Sequence, residues 1–271
     1  MQEESNMSKQ KITATVISQK KLAESVYDLW LEYPSASPPR PGQFVGLYPQ
    51  DKSRLLMRPI SICESKPDQN SLRLVYRVQG AGTNEFAQLK AGDSIALLGI
   101  LGNGFPLAKA SAQHVYIIGG GIGIPPLLGL AKAIHAKAKS LNIFLGYQSA
   151  PAYLADEMKA CGRVHIATDD GSLDTKGHVM DAMPEAEKST DLPRAGIIMA
   201  CGPGVMLAAV KAYAEKAGVP AYISLEERMA CGIGACLSCV CQTTQIDAHI
   251  HLPLSRVCAD GPVYEAGDVE V

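Results

Sequence analysis

The chain has 271 residues, enough for about two domains of roughly 150 residues each. Hydrophobic residues make up 47% and charged residues 19%, a balance that excludes an intrinsically disordered chain. Lysine and arginine number 25 against 27 aspartate and glutamate, so the net charge of -2 gives no basic surplus and argues against a nucleic-acid partner.

The polar start of the chain predicts a flexible tail over residues 1–10 and lacks the apolar core of a signal peptide. One long uncharged run, residues 115–131, has 17 residues broken by glycines and prolines and is too short to span a bilayer. We therefore expect a cytoplasmic protein with no membrane partner. In that reducing compartment, clustered thiols bind metals more readily than they form disulfides.

Residues 11–110 carry short apolar runs separated by prolines and glycines. The runs are ITATVISQ, VYDLWLEY, QFVGLYP, SLRLVYRV and DSIALLG, and only residues 84–89 have a helical pattern. Many short strands joined by such turns predict a small antiparallel β-barrel.

The run Arg58-Pro59-Ile60-Ser61 lies at the end of one predicted barrel strand. Pro59 stiffens the backbone, so the turn can hold a planar ring. The Arg58 guanidinium suits phosphate oxygens, and the Ser61 hydroxyl is small enough to meet a ring nitrogen. Taken alone, this tetrapeptide is more typical of an ordinary turn.

Two later segments strengthen this interpretation. Tyr76 and Arg77 belong to an apolar run, and Gly82 and Thr83 stand before the helical stretch. Glycine and threonine at a helix start suit a pyrophosphate, because the free amides and the helix dipole favour anions. With a barrel ahead of an α/β domain, these segments predict a flavin site.

Between residues 111 and 225 the pattern changes to alternating strands and helices. HVYIIGG, NIFLGYQ, RVHIATD, AGIIMACGP and PAYISLE are typical of strands, whereas LLGLAKAIHAKAK, YLADEMKA and GVMLAAVKAYAEKAG have helical spacing. This alternation predicts a parallel sheet covered by helices on both faces.

A glycine-rich turn follows the first of these strands. Gly121, Gly123 and Pro126 fit the pattern G-x-G-x-x-P, whereas counting from Gly119 puts Ile124 where a Rossmann fingerprint needs its third glycine. The glycines let a phosphate or ribose approach the backbone. In isolation, a strand-to-helix turn explains this motif equally well.

Cys201, Gly202 and Pro203 end a later strand of the same domain. Strand ends at one edge of a parallel sheet form a crevice where ligands bind, so we expect them beside the glycine turn. Cys201 either borders a nicotinamide there or is a plain core residue. The loop after NIFLGYQ is acidic until Lys159, whereas a 2′-phosphate needs a cation, so NAD is predicted over NADP.

Residues 226–271 hold five cysteines and predict a small metal-dependent module. Cys231, Cys236 and Cys239 have the C-x4-C-x2-C spacing of plant-type [2Fe–2S] proteins, and Cys258 is a distant fourth cysteine. Glycines within the first spacer let the loop fold inward without Cβ clashes.

Five cysteines compete for four ligand positions. If the chain leaves the loop as a strand, Cys241 is a core thiol, and we exclude it from the ligands. Structural zinc held by four cysteines is the alternative, because C-x2-C is common in zinc sites, although the chain has only one such pair.

The order of these parts resembles the ferredoxin–NADP reductase superfamily. Within it, the runs ERMACGIGACLSCV and VCADGPVY resemble the electron-transfer subunits of class B dihydroorotate dehydrogenase, although the segment between Cys239 and Cys258 is a few residues longer than in that family. By this resemblance, the cluster ligands are Cys231, Cys236, Cys239 and Cys258. By the same resemblance, FAD is held by Arg58, Pro59, Ile60, Ser61, Val75, Tyr76, Arg77, Gly82 and Thr83.

The resemblance also implies a partner, a dihydroorotate-oxidising catalytic subunit that carries FMN, in an α2β2 heterotetramer of pyrimidine biosynthesis. Electrons would pass from it through the [2Fe–2S] cluster and FAD to NAD+, with no dihydroorotate oxidation by this chain alone and no catalytic acid or base. Two alternatives stay open: a diaphorase-type subunit of another NAD(P)H-dependent complex, and a zinc-stabilised module that senses a nucleotide.

Overall fold

The computed structural model describes residues 10–33, 38–189, 192–247 and 251–271, so nearly all of the predicted tail lies outside it. Within these ranges the first half of the chain forms a closed barrel. Its strands are β1 (Lys11–Ala23), β2 (Val26–Glu32), β3 (Phe44–Tyr48), β4 (Arg58–Lys66), β5 (Ser71–Arg77) and β6 (Ser94–Leu101). They pair antiparallel in the order β1-β2-β5-β4-β3-β6, which confirms the predicted barrel.

Apolar side chains from alternate strand positions fill the interior of the barrel, as in other small barrels. Six fully buried leucines lie there: Leu29, Leu31, Leu47, Leu72, Leu74 and Leu97. The helix α1 (Ala81–Phe86) follows β5 and packs Phe86 into the same core. The helix therefore starts three residues earlier than its pattern predicts.

The Arg58-Pro59-Ile60-Ser61 run begins β4, whereas the sequence placed it at the end of a strand. Pro59 lies opposite Gly46 of β3, and neighbours on both sides complete the pairing of β4. The alternation of apolar and polar side chains in β4 is too weak to identify it as a strand from the sequence. Pairing with β3 and β5 in the closed barrel defines the strand instead.

A second sheet of seven strands follows the barrel. Its strands are β7 (His114–Gly120), β8 (Ser140–Tyr147), β9 (Arg163–Thr168), β10 (Thr175–Lys176), β11 (Ile197–Cys201), β12 (Ala221–Ser224) and β15 (Val263–Glu265). The order is β10-β9-β8-β7-β11-β12-β15, and all pairs are parallel except the last. The antiparallel edge strand β15 comes from the C-terminal segment and departs from the purely parallel sheet that was predicted.

The helices of this sheet are α2 (Ile124–Ile134), α3 (Ala155–Lys159), α4 (Val179–Ser189) and α5 (Gly204–Ala217). No sequence pattern indicates α4, because Pro184 lies inside it and proline normally breaks a helix. Burial of Val179, Ala182 and Met183 against the sheet stabilises the helix instead. None of the helices in the described ranges has the length and apolar character needed to cross a membrane.

The barrel and the sheet share one apolar interface, in which α2 packs on β4. Val26, Cys63 and Val75 of the barrel join Leu127 and Leu128 of α2 in a single buried cluster. A Cβ on Gly129 of α2 would lie 2.6 Å from the carbonyl oxygen of Cys63, so glycine permits this close approach. The face of the sheet that α2 covers is thereby held against the barrel.

The C-terminal segment forms a small hairpin of β13 (Val240–Gln242) and β14 (Leu254–Arg256) before it adds β15 to the sheet. Asn103, in the loop after β6, ties this segment to the barrel. Its side-chain amide donates to the carbonyl of Val263 at 2.8 Å and accepts from the Val263 amide at 2.9 Å. The C-terminal module therefore contacts both the barrel and the sheet.

Candidate functional sites

The glycine turn after β7 and the loop after β11 lie against each other at the carboxyl edge of the sheet. Gly119 pairs with Cys201 across the two parallel strands, and a Cβ on Gly123 would overlap the carbonyl oxygen of Cys201. The strand order turns back on itself between β7 and β11, which is where open α/β sheets bind ligands. The structure thus brings the two predicted nucleotide segments together.

The residues of these two segments differ in what they offer to a ligand. Gly121 has a left-handed φ of 53°, which glycine adopts without strain. A Cβ on Gly119 would lie 2.8 Å from Leu127, and Pro126 is buried in the first turn of α2, so both serve the packing of the helix on the strand. Burial raises the pKa of the Cys201 thiol to about 12, which keeps it neutral at the mouth of the crevice.

Gly123→Ala should lower the free energy of unfolding by about 1–3 kcal/mol, because the new methyl group overlaps the backbone of β11. We also expect weaker NADH binding, because the glycine turn and the loop after β11 must move apart to accommodate the new methyl group. Urea unfolding and a fluorescence titration with NADH measure the two effects. Gly204→Ala is the matched control, since a Cβ there meets nothing within 4 Å. Wild-type stability and NADH affinity in Gly123→Ala would contradict this account of the crevice.

Arg58 of the barrel lies over the first turn of α1. A Cβ on Gly82 would be 2.7 Å from the Arg58 Nε, so glycine leaves room for the guanidinium. The Arg58 Nη1 donates to the Leu56 carbonyl at 2.6 Å. The Thr83 Oγ1 accepts from the Gly80 amide at 3.2 Å and therefore closes the turn itself. Arg58 and Gly82 are thus neighbours, as a shared ligand would require.

The remaining predicted flavin residues divide into a half-buried group and a buried group. Pro59, Ile60 and Ser61 are half-buried on β4, so a ligand can reach them. Val75 belongs to the interface with α2, and Tyr76 is fully buried in the barrel, where its hydroxyl donates to the Gln19 Oε1 at 2.9 Å. The Tyr76 side chain therefore holds the barrel core, and its backbone is what a ligand could contact.

Arg77 connects the two predicted nucleotide sites. Its Nη2 lies 3.4 Å from the position that a Cβ on Gly121 would take. It also hydrogen-bonds the hydroxyl of Tyr153, which donates to the Gly121 carbonyl at 2.7 Å. A barrel cation thus stands over the glycine turn of the sheet domain, where it would attract phosphate groups.

The four predicted cluster cysteines lie in two pairs. The Sγ atoms of Cys231 and Cys236 are 3.3 Å apart, and the Cys258 amide donates to the Sγ of Cys239 at 3.4 Å. Two pairs of thiolates would suit a dinuclear cluster, in which each iron takes two cysteine ligands besides the sulfides of the cluster. A structural zinc site instead places all four thiolates around one ion. Among the described residues, no three His, Cys, Asp or Glu side chains group in that way.

Backbone geometry and charge around these thiols fit an iron–sulfur cluster. Gly232 and Gly234 have left-handed φ values of 71° and 82°, which fold the loop inward. Burial acts to raise the pKa of Cys231, but amides of Cys236 and the intervening residues donate to its sulfur and lower that pKa to about 6. Burial and the adjacent Cys239 raise the pKa of Cys258 to about 12, a repulsion that bound iron would relieve.

Cys241 lies outside both pairs. It is on β13 opposite Ser255, is buried, and hydrogen-bonds Tyr264. Burial raises the pKa of its thiol, as expected for a core cysteine. The stretch after Cys239 therefore leaves the loop as a strand, which is the condition under which we excluded Cys241.

A partly buried ionic cluster that the sequence did not suggest joins the barrel to the sheet domain. We call the side chains of Asp28, Glu64, Arg73, Lys132 and Glu157 the interdomain ion cluster. Arg73 pairs bidentately with Asp28 at 3.0 Å and with Glu157 at 2.8 and 3.0 Å. Lys132 of α2 pairs with Glu64 at 2.8 Å. Such a contact between strands and helices distant in sequence has no local signal.

The interdomain ion cluster also bears on the choice of nucleotide. Burial opposes ionisation of Glu157, yet Arg73 and Lys132 hold the pKa of this carboxyl below its usual value. The Glu157 carboxylate is therefore paired with Arg73 of the barrel and is not available to a ribose. Asp156 beside it is exposed and pairs with Lys159 of the same turn at 2.9 Å.

Comparison with known proteins places this geometry in a family. Residues 226–270 match the family described as the iron–sulfur cluster binding domain of dihydroorotate dehydrogenase B. Relatives from Listeria monocytogenes serotype 4b (strain F2365) and Enterococcus faecalis (strain ATCC 700802 / V583) are both named dihydroorotate dehydrogenase B (NAD(+)), electron transfer subunit. Each is 42% identical to this chain over 94% of its length, covering 97% and 96% of the relatives.

Solved structures share the fold of this chain. A chain of the NADH-dependent reduced ferredoxin–NADP oxidoreductase superposes with a TM-score of 0.83 at 28% identity, covering 95% of this chain and 89% of that one. A ferredoxin NADP+ reductase from Neisseria gonorrhoeae with bound FAD and NADP has a TM-score of 0.65 at 18% identity, covering 80% and 94% of the two chains. This second likeness shows a shared fold.

Proposed function

The chain belongs to the family of the electron transfer subunits of dihydroorotate dehydrogenase B, and from that premise we propose how its residues divide the work. It is an oxidoreductase subunit that uses FAD, a [2Fe–2S] cluster and NAD. Its catalytic partner oxidises dihydroorotate, and this chain carries the resulting electrons to NAD+. Bound FAD supplies the step between carriers, because a flavin exchanges two electrons with a nicotinamide and single electrons with an iron–sulfur cluster.

The contact between Met57 and the cysteine loop is the observation that carries this proposal. Met57 directly precedes Arg58, and a Cβ on Gly232 would overlap its methyl group. The segment that would hold the flavin and the loop that would hold the cluster therefore touch. Since electrons pass only between carriers held close together, this contact supports direct transfer between cluster and FAD.

The site residues take separate roles in this proposal. Cys231 and Cys236 hold one iron, and Cys239 and Cys258 hold the other. Arg58, Pro59, Ile60, Ser61, Gly82 and Thr83 hold FAD together with the backbone of Val75 and Tyr76 and with the Arg77 guanidinium. The crevice that takes NAD is formed by the glycine turn and the loop after β11, through Gly119, Gly121, Gly123, Pro126, Cys201, Gly202 and Pro203. No acid or base is required, because the chain only positions carriers and tunes them.

The proposal extends to domain boundaries and assembly. We divide the chain into an FAD-binding barrel over residues 11–110, an NAD-binding domain over 111–225 and a cluster domain over 226–271. The name of the relatives supports a catalytic partner subunit. We propose an α2β2 heterotetramer with an FMN-containing partner, in the cytoplasm. The diaphorase-type alternative rests on the oxidoreductase neighbour, whose 28% identity is below the 42% of the dihydroorotate dehydrogenase relatives.

Activity assays on the purified chain, alone and with its FMN-containing partner, test the function. The chain alone should oxidise NADH with an artificial acceptor and show no turnover of dihydroorotate, because it holds no site for that substrate in this proposal. The complex should reduce NAD+ with dihydroorotate. Dihydroorotate turnover by the chain alone would contradict the division of labour. A complex that responds to reduced ferredoxin but not to dihydroorotate would favour the diaphorase-type alternative.

A further inference from the structure

The segment between the third and fourth cluster cysteines has no role in the electron path described so far. It contains the β13–β14 hairpin and brings Asp247 back toward Arg256, the last residue of β14. The Arg256 Nη2 lies 3.3 Å from the Asp247 Oδ2, and the Arg256 Nε lies 3.0 Å from the Asp260 Oδ2. The side chains of Arg256 and Asp247 are only 16% and 8% exposed, so this pair is largely shielded from water, whereas Asp260 is 38% exposed.

The same arginine reaches the loop that carries the other cysteines. Its Nη1 donates to the Gly234 carbonyl at 3.2 Å, and Gly234 lies between Cys231 and Cys236. A Cβ on Gly234 would be 2.8 Å from the Cβ of Ala259, so the two segments are in close contact there. One guanidinium fork therefore bridges the ligand loop and the turn that presents Cys258.

The turn after β14 places Cys258 beside Cys239. The Val257 amide donates to the Cys239 carbonyl at 3.0 Å, and the Asp260 amide donates to the Arg256 carbonyl at 2.8 Å. Asp260 also accepts from the Arg256 backbone amide at 3.0 Å. Arg256 and Asp260 thus enclose Cys258 in one hydrogen-bonded turn, so a change at Arg256 acts on both ligand segments.

We propose that Arg256 is a positioning residue of the cluster, which clamps the two ligand segments together and raises the reduction potential of the bound iron. The inference rests on the proposed function, in that these cysteines hold a [2Fe–2S] cluster. Reduction adds one negative charge to such a cluster, and a nearby cation stabilises that charge. Asp247 and Asp260 offset part of the arginine charge, so they set the size of the effect.

Redox titration of the full chain, followed by its visible and electron paramagnetic resonance spectra, tests the charge. Arg256→Met should shift the one-electron equilibrium about tenfold toward the oxidised cluster, which corresponds to about 59 mV. Asp260→Asn should shift the potential in the opposite direction, because it leaves the arginine less neutralised. Opposite signs distinguish tuning by charge from general damage to the turn, which would move both variants the same way.

Iron release to a chelator tests the clamp separately. Arg256→Lys keeps the charge but loses the fork, so it should hold the potential near wild type and release iron several-fold faster. Arg163→Met controls for the loss of one positive charge, since it lies on β9, with four strands between it and β15. It should change neither measurement.

The outcomes separate this inference from the function on which it rests. Unshifted potentials in Arg256→Met and Asp260→Asn, or shifts of equal sign, would overturn it while the wild-type chain still shows its cluster. If Arg256→Met fails to assemble, Asp260→Asn and Arg256→Lys decide the question by the same criteria. A wild-type chain without iron and sulfide would overturn the proposed function and this inference together.

Discussion

Cys239→Ser should lower dihydroorotate-dependent NAD+ reduction by the complex more than about 100-fold, because even outer partners of metal ligands often cost 10–100-fold. Cys239 is 1% exposed and its Sγ accepts a hydrogen bond from the Cys258 amide, so serine disrupts the second pair, in which both cysteines are buried. The visible absorption of the cluster should decrease in parallel. NADH oxidation with an artificial two-electron acceptor should persist, because it needs only FAD and the nucleotide crevice.

Cys241→Ser is the matched control for this prediction. The two cysteines are two positions apart and both are buried, but Cys241 points to Tyr264 and lies outside the two pairs. The variant should keep the cluster spectrum and most of the activity of the complex. Loss of the cluster in Cys241→Ser with retention in Cys239→Ser would show that the third ligand position has been assigned to the wrong cysteine.

Arg73→Met should destabilise the folded chain by about 3–5 kcal/mol, because removing one partner leaves buried charges without compensation. Arg73 side-chain exposure is 6% and that of Asp28 is 1%, so water cannot replace the lost ion pairs. Of the two ion pairs of Glu157, the variant would retain the one with Lys132, at 3.4 Å. We expect a lower midpoint in urea unfolding and, since the interdomain ion cluster joins the two domains, weaker NADH binding as well.

Lys20→Ala provides the comparison for Arg73→Met. Lys20 pairs with the same Asp28 carboxylate at 3.7 Å, but its side chain is 68% exposed. Exposed pairs contribute about 0–1 kcal/mol, so this variant should unfold close to wild type. Equal losses of stability in the two variants would contradict the importance that we assign to burial in this cluster.

Features encoded by short spacings were predictable from the sequence. The C-x4-C-x2-C run and the apolar alternation of the barrel strands depend on neighbours within about ten residues. Barrel closure and the cofactor classes followed from them. The position of Arg58 at the start of β4 was not predictable from such spacings, because pairing with β3 and β5 defines that strand. Likewise α4 forms around Pro184 because the sheet buries its apolar face.

Contacts across long sequence separations were not predictable. Arg73 and Glu157 are 84 residues apart, and nothing near either residue indicates the other. The acidity of the loop after β8 therefore bore only on the choice of NAD over NADP, whereas Glu157 of that segment is bound to the barrel. Tyr76 shows the same limit, since only its burial between Tyr27 and Phe86 reveals that its side chain faces the core.

The edge strand β15 has a consequence for synthesis of the protein on the ribosome. β12 has β11 on one side and β15 on the other, and β15 begins 39 residues after β12 ends. Until those residues leave the exit tunnel, the outer edge of β12 is unpaired and can capture another polypeptide. Completion of the nucleotide sheet and closure of the thiol loop are thus late, linked events in biogenesis.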